Sequence, residues 1–432
     1  MNNNLDKNAR RAAVSGFLGA MAEYYDFALY APAAVLFLGP LFFEPLGDKG
    51  ASLAALATFA VAYIARPVGA LIFGNLGDHI GRSRVLLLTL SLMGAATVGI
   101  GCLPTYHQAG VVAPILLVIL RILQGLCAGV EQSGSGTLSA ENAPRQRRAI
   151  YTSWTMIGVS LGWFLGPAVL TPLSAHSQWL MAWGWRLPFW LALVLLVPAL
   201  IVRAGVTDAP GVHARLRAKR QGIPVLTVMR HYPLNLLRVI GCSLHMLVGV
   251  TFNIFVLGWA VTNVGLPKPM VLACLSFAGL VTTFTQPFFA WLSDVAGRKV
   301  VFISSCLGLA VALPLVFLAL YSRNQWVIGA AMTGFYLIVM AGNVVQASFY
   351  PEMFPAEVRL SGVSVGTQLG LVVVGLSPLI YSALAGSGPY GFVPGCVFAA
   401  VCWLIAAGCA ASAPETAPSK LRGRTDLMEE KA

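Results

Sequence analysis

The sequence predicts an all-α membrane protein: twelve transmembrane helices in two six-helix halves, with both termini in the cytoplasm. Three observations lead there. Of 432 residues, 57% are hydrophobic and only 10% are charged, whereas a soluble domain carries about 25% charged residues. Apolar runs of about 20 residues, long enough to cross a bilayer as a helix, recur along the whole chain. One pattern also occurs twice, half a chain apart. Gly74-Asn75-Leu76-Gly77-Asp78-His79-Ile80-Gly81-Arg82-Ser83-Arg84 is echoed by Ala290-Trp291-Leu292-Ser293-Asp294-Val295-Ala296-Gly297-Arg298-Lys299. A second echo, Glu141-x-x-Pro144-x-x-x-Arg148 and Glu352-x-x-Pro355-x-x-x-Arg359, supports the first. Repeats of this kind mark two halves of similar plan, as in secondary transporters.

Backbone inside a bilayer must satisfy its own hydrogen bonds, so the spans are helices or a closed barrel. Barrel strands alternate apolar and polar residues, and these runs do not. Spans are expected to start near Ala12, Ala51, Val85, Val111, Tyr151 and Leu187, then near Val239, Pro269, Val300, Trp326, Gly362 and Tyr390. This divides the chain into a first half (1–202), a cytoplasmic linker (203–238), a second half (239–411) and a cytoplasmic tail (412–432). The linker holds Arg215, Arg217, Lys219 and Arg220, and the tail from Pro414 reads as disordered. Met1 to Arg11 is polar and lacks the short apolar core of a cleavable signal peptide.

A net charge of +12 is compatible with nucleic-acid binding, but the placement of the charge argues against it. Arg10, Arg11, Arg82, Arg84, Arg145, Arg147, Arg148, Arg298, Lys299 and Arg359 fall in alternate loops. The other loops hold only Lys49, Arg186, Lys268 and Arg323. Such asymmetry follows the positive-inside rule and puts both ends in the cytoplasm of a bacterial inner membrane. Trp179, Trp183 and Trp185 read as an interfacial anchoring belt. The eight cysteines lie in apolar runs without metal spacing and read as small hydrophobes. No cofactor, nucleic acid or protein partner is expected, and the tail shows no heptads that would imply an oligomer. No nucleophile–base or metal cluster suggests an enzyme.

An ionised side chain at the bilayer centre costs roughly 2.5–3.5 kcal/mol. Glu23, Asp26, Arg66, Arg121 and Glu131 therefore stand out. Glu23, Asp26 and Tyr30 share one face of the first span. Arg121, Gln124, Ala128, Glu131 or Gln132, and Ser135 form a polar stripe on the fourth, and the two stripes imply a wet central cavity. Asp26 is the first candidate for proton carrier, with Glu131 and then Glu23 as rivals. Arg121 is its switch: withdrawing the guanidinium toward an anionic substrate favours the protonated acid. The planar fork of Arg121 also suits a substrate carboxylate. Tyr30, Gln124, Gln132, Asn253, Gln346 and Gln368 complete the expected substrate set. His245, Gln286 and Asn343 are further polar residues whose commoner role is a helix–helix bond.

The twin turns, together with Arg121-Ile122-Leu123-Gln124-Gly125, resemble signatures of the major facilitator superfamily. Glu23-Tyr24-Tyr25-Asp26-Phe27, Arg66-Pro67-Val68-Gly69, Trp183-Gly184-Trp185-Arg186-Leu187-Pro188-Phe189 and Glu352-Met353-Phe354-Pro355-Ala356-Glu357-Val358-Arg359 resemble its metabolite:proton symporter family. That family includes shikimate, 2-oxoglutarate, citrate and osmolyte permeases. The stretch Phe289-Ala290-Trp291-Leu292-Ser293-Asp294 looks most like the shikimate type. The resemblance implies proton-coupled uptake of a small organic acid by alternating access. It also implies a cytoplasmic gate of Gly74, Asp78, Gly81, Arg82, Arg84, Glu141 and Arg148, mirrored by Asp294, Gly297, Arg298, Lys299, Glu352 and Arg359. Gly74, Gly77 and Gly81 are expected to permit close helix approach and a tight turn. The sequence departs from the family at His79, Val295 and Gly129-Val130-Glu131-Gln132-Ser133-Gly134, the last within the expected cavity. The alternatives are osmolyte uptake and proton-driven drug efflux, the latter suggested by Gly158-x-x-x-Gly162-x-x-x-Gly166-Pro167.

Overall fold

The computed structural model describes residues 2–142, 148–174, 177–207, 224–355 and 358–415. Among them, eleven helical stretches are long and apolar enough to cross a membrane. The first, Asn8–Gly74, has 67 residues, about 100 Å at 1.5 Å per residue, far more than one crossing of a hydrocarbon core about 30 Å thick. A 3₁₀ turn at Glu44–Leu46, followed by Gly47 at φ 68°, divides it in two. Twelve crossings result.

Helix α1 runs over Asn2–Ala33, a π-helical stretch Ala34–Leu38 and Gly39–Phe43. It is followed by α2 (Gly47–Ile80), α3 (Arg82–Cys102), α4 (Val112–Asn142), α5 (Arg148–Ser174) and α6 (Leu187–Ala204). The second set comprises α7 (Pro233–Thr262), α8 (Lys268–Ala296), α9 (Arg298–Tyr321), α10 (Gln325–Glu352), α11 (Arg359–Leu384) and α12 (Val393–Ser412). A short helix, Pro224–His231, precedes α7.

The two sets pack alike. In the first, α1 lies on α5 and α6, α2 on α4, and α3 on α4 and α6. In the second, α7 lies on α11 and α12, α8 on α10, and α9 on α10 and α12. Each pairing recurs six helices later. The sets join mainly along two seams, α2 with α11 and α5 with α8. The echoed turns are structural echoes as well. Gly81 adopts φ 102°, ψ 144° and Gly297 φ 111°, ψ 138°, a region that side chains beyond glycine avoid. Both first helices carry a π-helical stretch, Ala34–Leu38 in α1 and Thr251–Val256 in α7.

Small residues set how closely the helices cross. A Cβ on Gly158, Gly162 or Gly166 of α5 would meet α1 at Phe17, Met21 or Ala28. The glycine row that resembles an exporter motif is thus the groove that holds α1. On α4, a Cβ at Gly125 would strike the Ala62 carbonyl of α2, and one at Gly129 the Arg66 carbonyl. Such close backbone approach is the usual basis of helix packing in lipid. Gly125→Ala is expected to destabilise the fold by about 1–3 kcal/mol through overpacking, read as a lower thermal midpoint of the purified protein.

Four expectations are corrected. Gly74 does not mediate a close approach, because a Cβ there would meet open space. Trp185 is not an interfacial anchor: it is fully buried, edge-on to Phe42 at 5.5 Å, while Trp179 and Trp183 are exposed. The seventh span begins at Pro233 rather than Val239, since Pro suits a first helical turn. Its polar Asn235 and Arg238 are helix staples, bonding Met353 O at 2.7 Å and Ser412 O at 2.5 Å. Finally, α6 runs on to Ala204, so Arg203 is a span residue and not part of the linker. Arg145, Arg147, Arg215, Arg217, Lys219, Arg220 and the tail from Thr416 lie outside the described residues.

Candidate functional site

Three acid–arginine pairs are buried inside the first half. The central pair is Asp26 of α1 with Arg121 of α4, 1% and 0% exposed. Arg121 Nη1 stands 3.6 Å from Asp26 Oδ2, too far for a hydrogen bond. Gln124 bridges them: its Oε1 accepts from Arg121 Nη1 at 2.8 Å and its Nε2 donates to Asp26 Oδ1 at 2.8 Å. Thr97 of α3 donates to the same Oδ1 at 3.0 Å. The Arg121 guanidinium lies 3.7 Å over the Tyr30 ring, a cation–π contact that holds it flat. Tyr30 in turn bonds Thr58 Oγ1 at 2.5 Å. Tyr30 and Gln124 therefore both serve the ion pair in this conformation.

One turn earlier on α1, Glu23 Oε1 accepts from Arg66 Nη2 of α2 at 3.2 Å. Arg66 stacks over Phe27 at 4.1 Å and Tyr63 at 4.7 Å. The third pair joins Glu131 of α4 to Arg203 of α6 through a short contact between Glu131 Oε1 and Arg203 Nη1. Ser15 Oγ accepts from Arg203 Nε at 2.9 Å and Ser135 Oγ from Arg203 Nη2 at 2.8 Å. Ser135 Oγ in turn donates to Glu131 at 2.9 Å. Gly19 of α1 leaves room for this pair, since a Cβ there would collide with both charged groups.

In the second half, Gln346 Nε2 donates to His245 Nδ1 at 3.0 Å and to Asn343 Oδ1 at 3.2 Å. His245 Nε2 lies 3.1 Å from Ser305 Oγ. Ser305 spends its own proton on Ile338 O at 2.7 Å, which assigns the neutral Nε2–H tautomer. Asn253 donates to Gly249 O of its own helix at 3.0 Å. Two glutamines instead cross between the halves. Gln368 donates to Gly129 O at 3.2 Å, and Gln286 reaches Ser160 Oγ. Gln132's side chain lies outside the described residues.

At the echoed turns, Arg298 Nη2 pairs with Glu352 at 3.1 Å. Lys299 Nζ donates to Ala411 O at 2.6 Å and Ala413 O at 2.7 Å. These contacts lie within the second half and do not bridge the two. Arg82 is half-buried and Arg84 exposed. The side chains of Asp78, Glu141, Arg148, Asp294 and Arg359 lie outside the described residues. Glu415, expected in a disordered tail, instead accepts from Arg298 N at 3.1 Å and Lys299 N at 3.2 Å. It caps α9 where the orphan N–H groups favour an anion. In the first half, Ser83 grips Val206 O at 2.6 Å in the equivalent place.

Sequence reasoning found both members of the first two pairs and one member of the third. It missed Arg203, Thr97, Ser15 and Glu415. Arg203 alone carried a signal, a lone cation at the end of an apolar run. Among the described residues, no cluster of His, Cys, Asp and Glu could hold a metal ion.

A family model described as Major Facilitator Superfamily matches residues 16–378. The chain belongs to the Major Facilitator Superfamily. It is 37% identical over 393 residues to the shikimate transporter of Escherichia coli, covering 87% of this chain and 88% of that one. It is 33% identical over 370 residues to the E. coli inner membrane metabolite transport protein YhjE, covering 82% of each. It is 30% identical over 450 residues to the glycine betaine/proline/ectoine/pipecolic acid transporter OusA of Dickeya dadantii, covering 99% of this chain and 88% of that one. The fold matches the E. coli xylose transporter XylE in a partially occluded inward-open conformation, with TM-score 0.74, 19% identity, and 95% of this chain and 99% of that one covered. A Major Facilitator Superfamily chain with twelve crossings is a multi-pass membrane transporter, not an enzyme.

Proposed function

We propose that the chain is a proton-coupled symporter that takes up a small organic acid across the bacterial inner membrane by alternating access. Asp26 carries the proton and Arg121 is its counter-ion. The observation that carries this reading is the Asp26 site itself: a carboxylate in the middle of a span, 1% exposed, with its cation held off at 3.6 Å by a bridging amide. Intramembrane acids of this kind mark proton relays. A substrate-driven shift of Arg121 would leave Asp26 to be neutralised by a proton, and the loss of charge would change how α1 packs on α4 within the first half as the two halves rock. A shikimate transporter among the relatives supports a hydroxy acid as substrate. OusA, matched over 99% of this chain, supports the second reading, osmolyte uptake. Both substrate types carry a carboxylate.

Energetics distinguish the two. A betaine zwitterion entering with one proton moves a positive charge, worth about 2.3 kcal/mol per 100 mV, or roughly fifty-fold accumulation. A monoanion with one proton moves no net charge, and only the pH difference drives it, about tenfold per unit. Purified chain in proteoliposomes, given an inward proton gradient, is expected to accumulate shikimate, quinate, citrate or 2-oxoglutarate uphill and to stop when a protonophore is added. Accumulation of betaine alone would select the second reading. Uptake indifferent to the proton gradient would refute both.

A further inference from the structure

Two sequence motifs are left without a task by the proton site, Glu23-Tyr24-Tyr25-Asp26-Phe27 in its first residue and Arg66-Pro67-Val68-Gly69 altogether. They meet in the structure. Arg66 lies fifteen residues before the Gly81 turn, about 22 Å along the helix axis, which places it deep within the bilayer. It is 3% exposed and holds Glu23 through a single hydrogen bond at 3.2 Å. Its Nε has no hydrogen-bond partner, and neither has Glu23 Oε2. The fork that could grip a carboxylate bidentately therefore grips this one with one prong.

The surroundings of Arg66 also differ from those of Arg121. Arg121 also leaves Nε and Nη2 without partners, but it is fully buried, held by Gln124 at 2.8 Å and floored by Tyr30, all within the first half. Arg66 stacks on Phe27 and Tyr63, and Tyr63 is a seam residue: its Cβ occupies the space that a Cβ on Gly375 of α11 would need. The α2–α11 seam joins the halves. Pro67 has no N–H, so the Tyr63 carbonyl lacks its usual helical donor. A half-used cation and an aromatic wall are thus brought together at the boundary between the halves.

We propose that Arg66 is the recognition residue for the carboxylate of the transported acid, and that Glu23 is an internal stand-in that the substrate displaces. The proposal rests on the symport reading and divides the labour within it: Arg66 takes the anion directly, and Arg121, which shifts in consequence, keeps the proton site. It makes opposite predictions for the two partners. Removing Arg66 removes the charge-assisted contact. Removing the Glu23 charge removes a competitor.

The test is equilibrium binding of shikimate and of shikimate methyl ester to the purified full-length chain at fixed pH. The native protein is expected to prefer the acid. R66Q is expected to weaken acid binding by about 10–100-fold, the scale of a charged hydrogen bond, and to leave the ester unchanged. E23Q is expected to tighten acid binding several-fold. If R66Q alone does not fold, the E23Q/R66Q double variant, which leaves neither charge unpaired, is expected to show the same loss of preference. Three results would overturn the assignment: no acid preference in the native protein, a preference that survives removal of Arg66, or equal weakening of both ligands by R66Q and E23Q, as a purely structural pair would give. Uphill, proton-driven uptake by a protein whose Arg66 proved dispensable would refute this site and leave the symport reading standing.

Discussion

Replacing Asp26 by Asn is expected to abolish uphill accumulation and to leave exchange running. Asn has the shape of the protonated acid, and its Oδ1 can still accept from Thr97 and Gln124, which now meet Asp26 at 3.0 and 2.8 Å. The two halves are therefore expected still to rock around a bound solute, with counterflow between equal pools. What is lost is the change of charge that makes rocking of the empty carrier depend on a proton. At a pH difference of one unit the native protein is expected to concentrate a monoanion about tenfold, and D26N to reach a ratio of one. Arg121 in D26N is a buried cation without its anion, which costs about 3–5 kcal/mol, so a lower thermal midpoint is expected as well. D26N/R121Q removes both charges and is expected to regain that midpoint without regaining accumulation. A D26N variant that still concentrates its solute would move the proton to Glu131 or Glu23.

The second large effect concerns Arg203. Its side chain is 1% exposed and makes contacts with α1, α3 and α4 through Ser15, Leu86 O, Glu131 and Ser135. Arg203→Gln leaves Glu131 charged and unpaired among apolar helices, so a loss of about 3–5 kcal/mol is expected. Pairing it with Glu131→Gln removes the stranded charge, and the double variant is expected to recover most of the loss. Thermal unfolding in detergent of the two single variants and the double one checks this. Additive losses would show that the two side chains act independently, contrary to their contact in the structure.

The bilayer explains why so much of the fold is legible in the sequence. It demands a long apolar run for every crossing, and the starts expected from those runs mostly fall within four residues of the observed helices. The misses cluster where polar residues occupy helix ends. Asn235 and Arg238 look like a loop because nothing in a linear reading shows that their partners, Met353 and Ser412, lie beside them. The duplicated turn is legible because its glycine is forced: φ near 100° at both Gly81 and Gly297 admits little else.

The site is legible to the extent that charge is costly. Asp26, Glu23, Glu131, Arg66 and Arg121 stand out against apolar neighbours, whereas Thr97 looks like any span hydroxyl. Arg203 is 72 positions from Glu131, and only the packing of α6 against α1 and α3 brings it there. Tyr30 and Gln124, read from the sequence as substrate residues, are bonded into the ion pair. Glu415 lies past the last apolar residue, where composition predicts disorder, and only the exposed N–H groups of α9 explain its order.

The most direct test of proton coupling at Asp26 follows protons and not solute. Shikimate is added outside proteoliposomes that hold a trapped pH indicator, with no pH difference and the membrane potential clamped at zero. The native protein is expected to acidify the lumen as the solute enters, and D26N to admit solute with no change in the indicator. Solute entry without luminal acidification in the native protein, or acidification of equal size in D26N, would contradict the account.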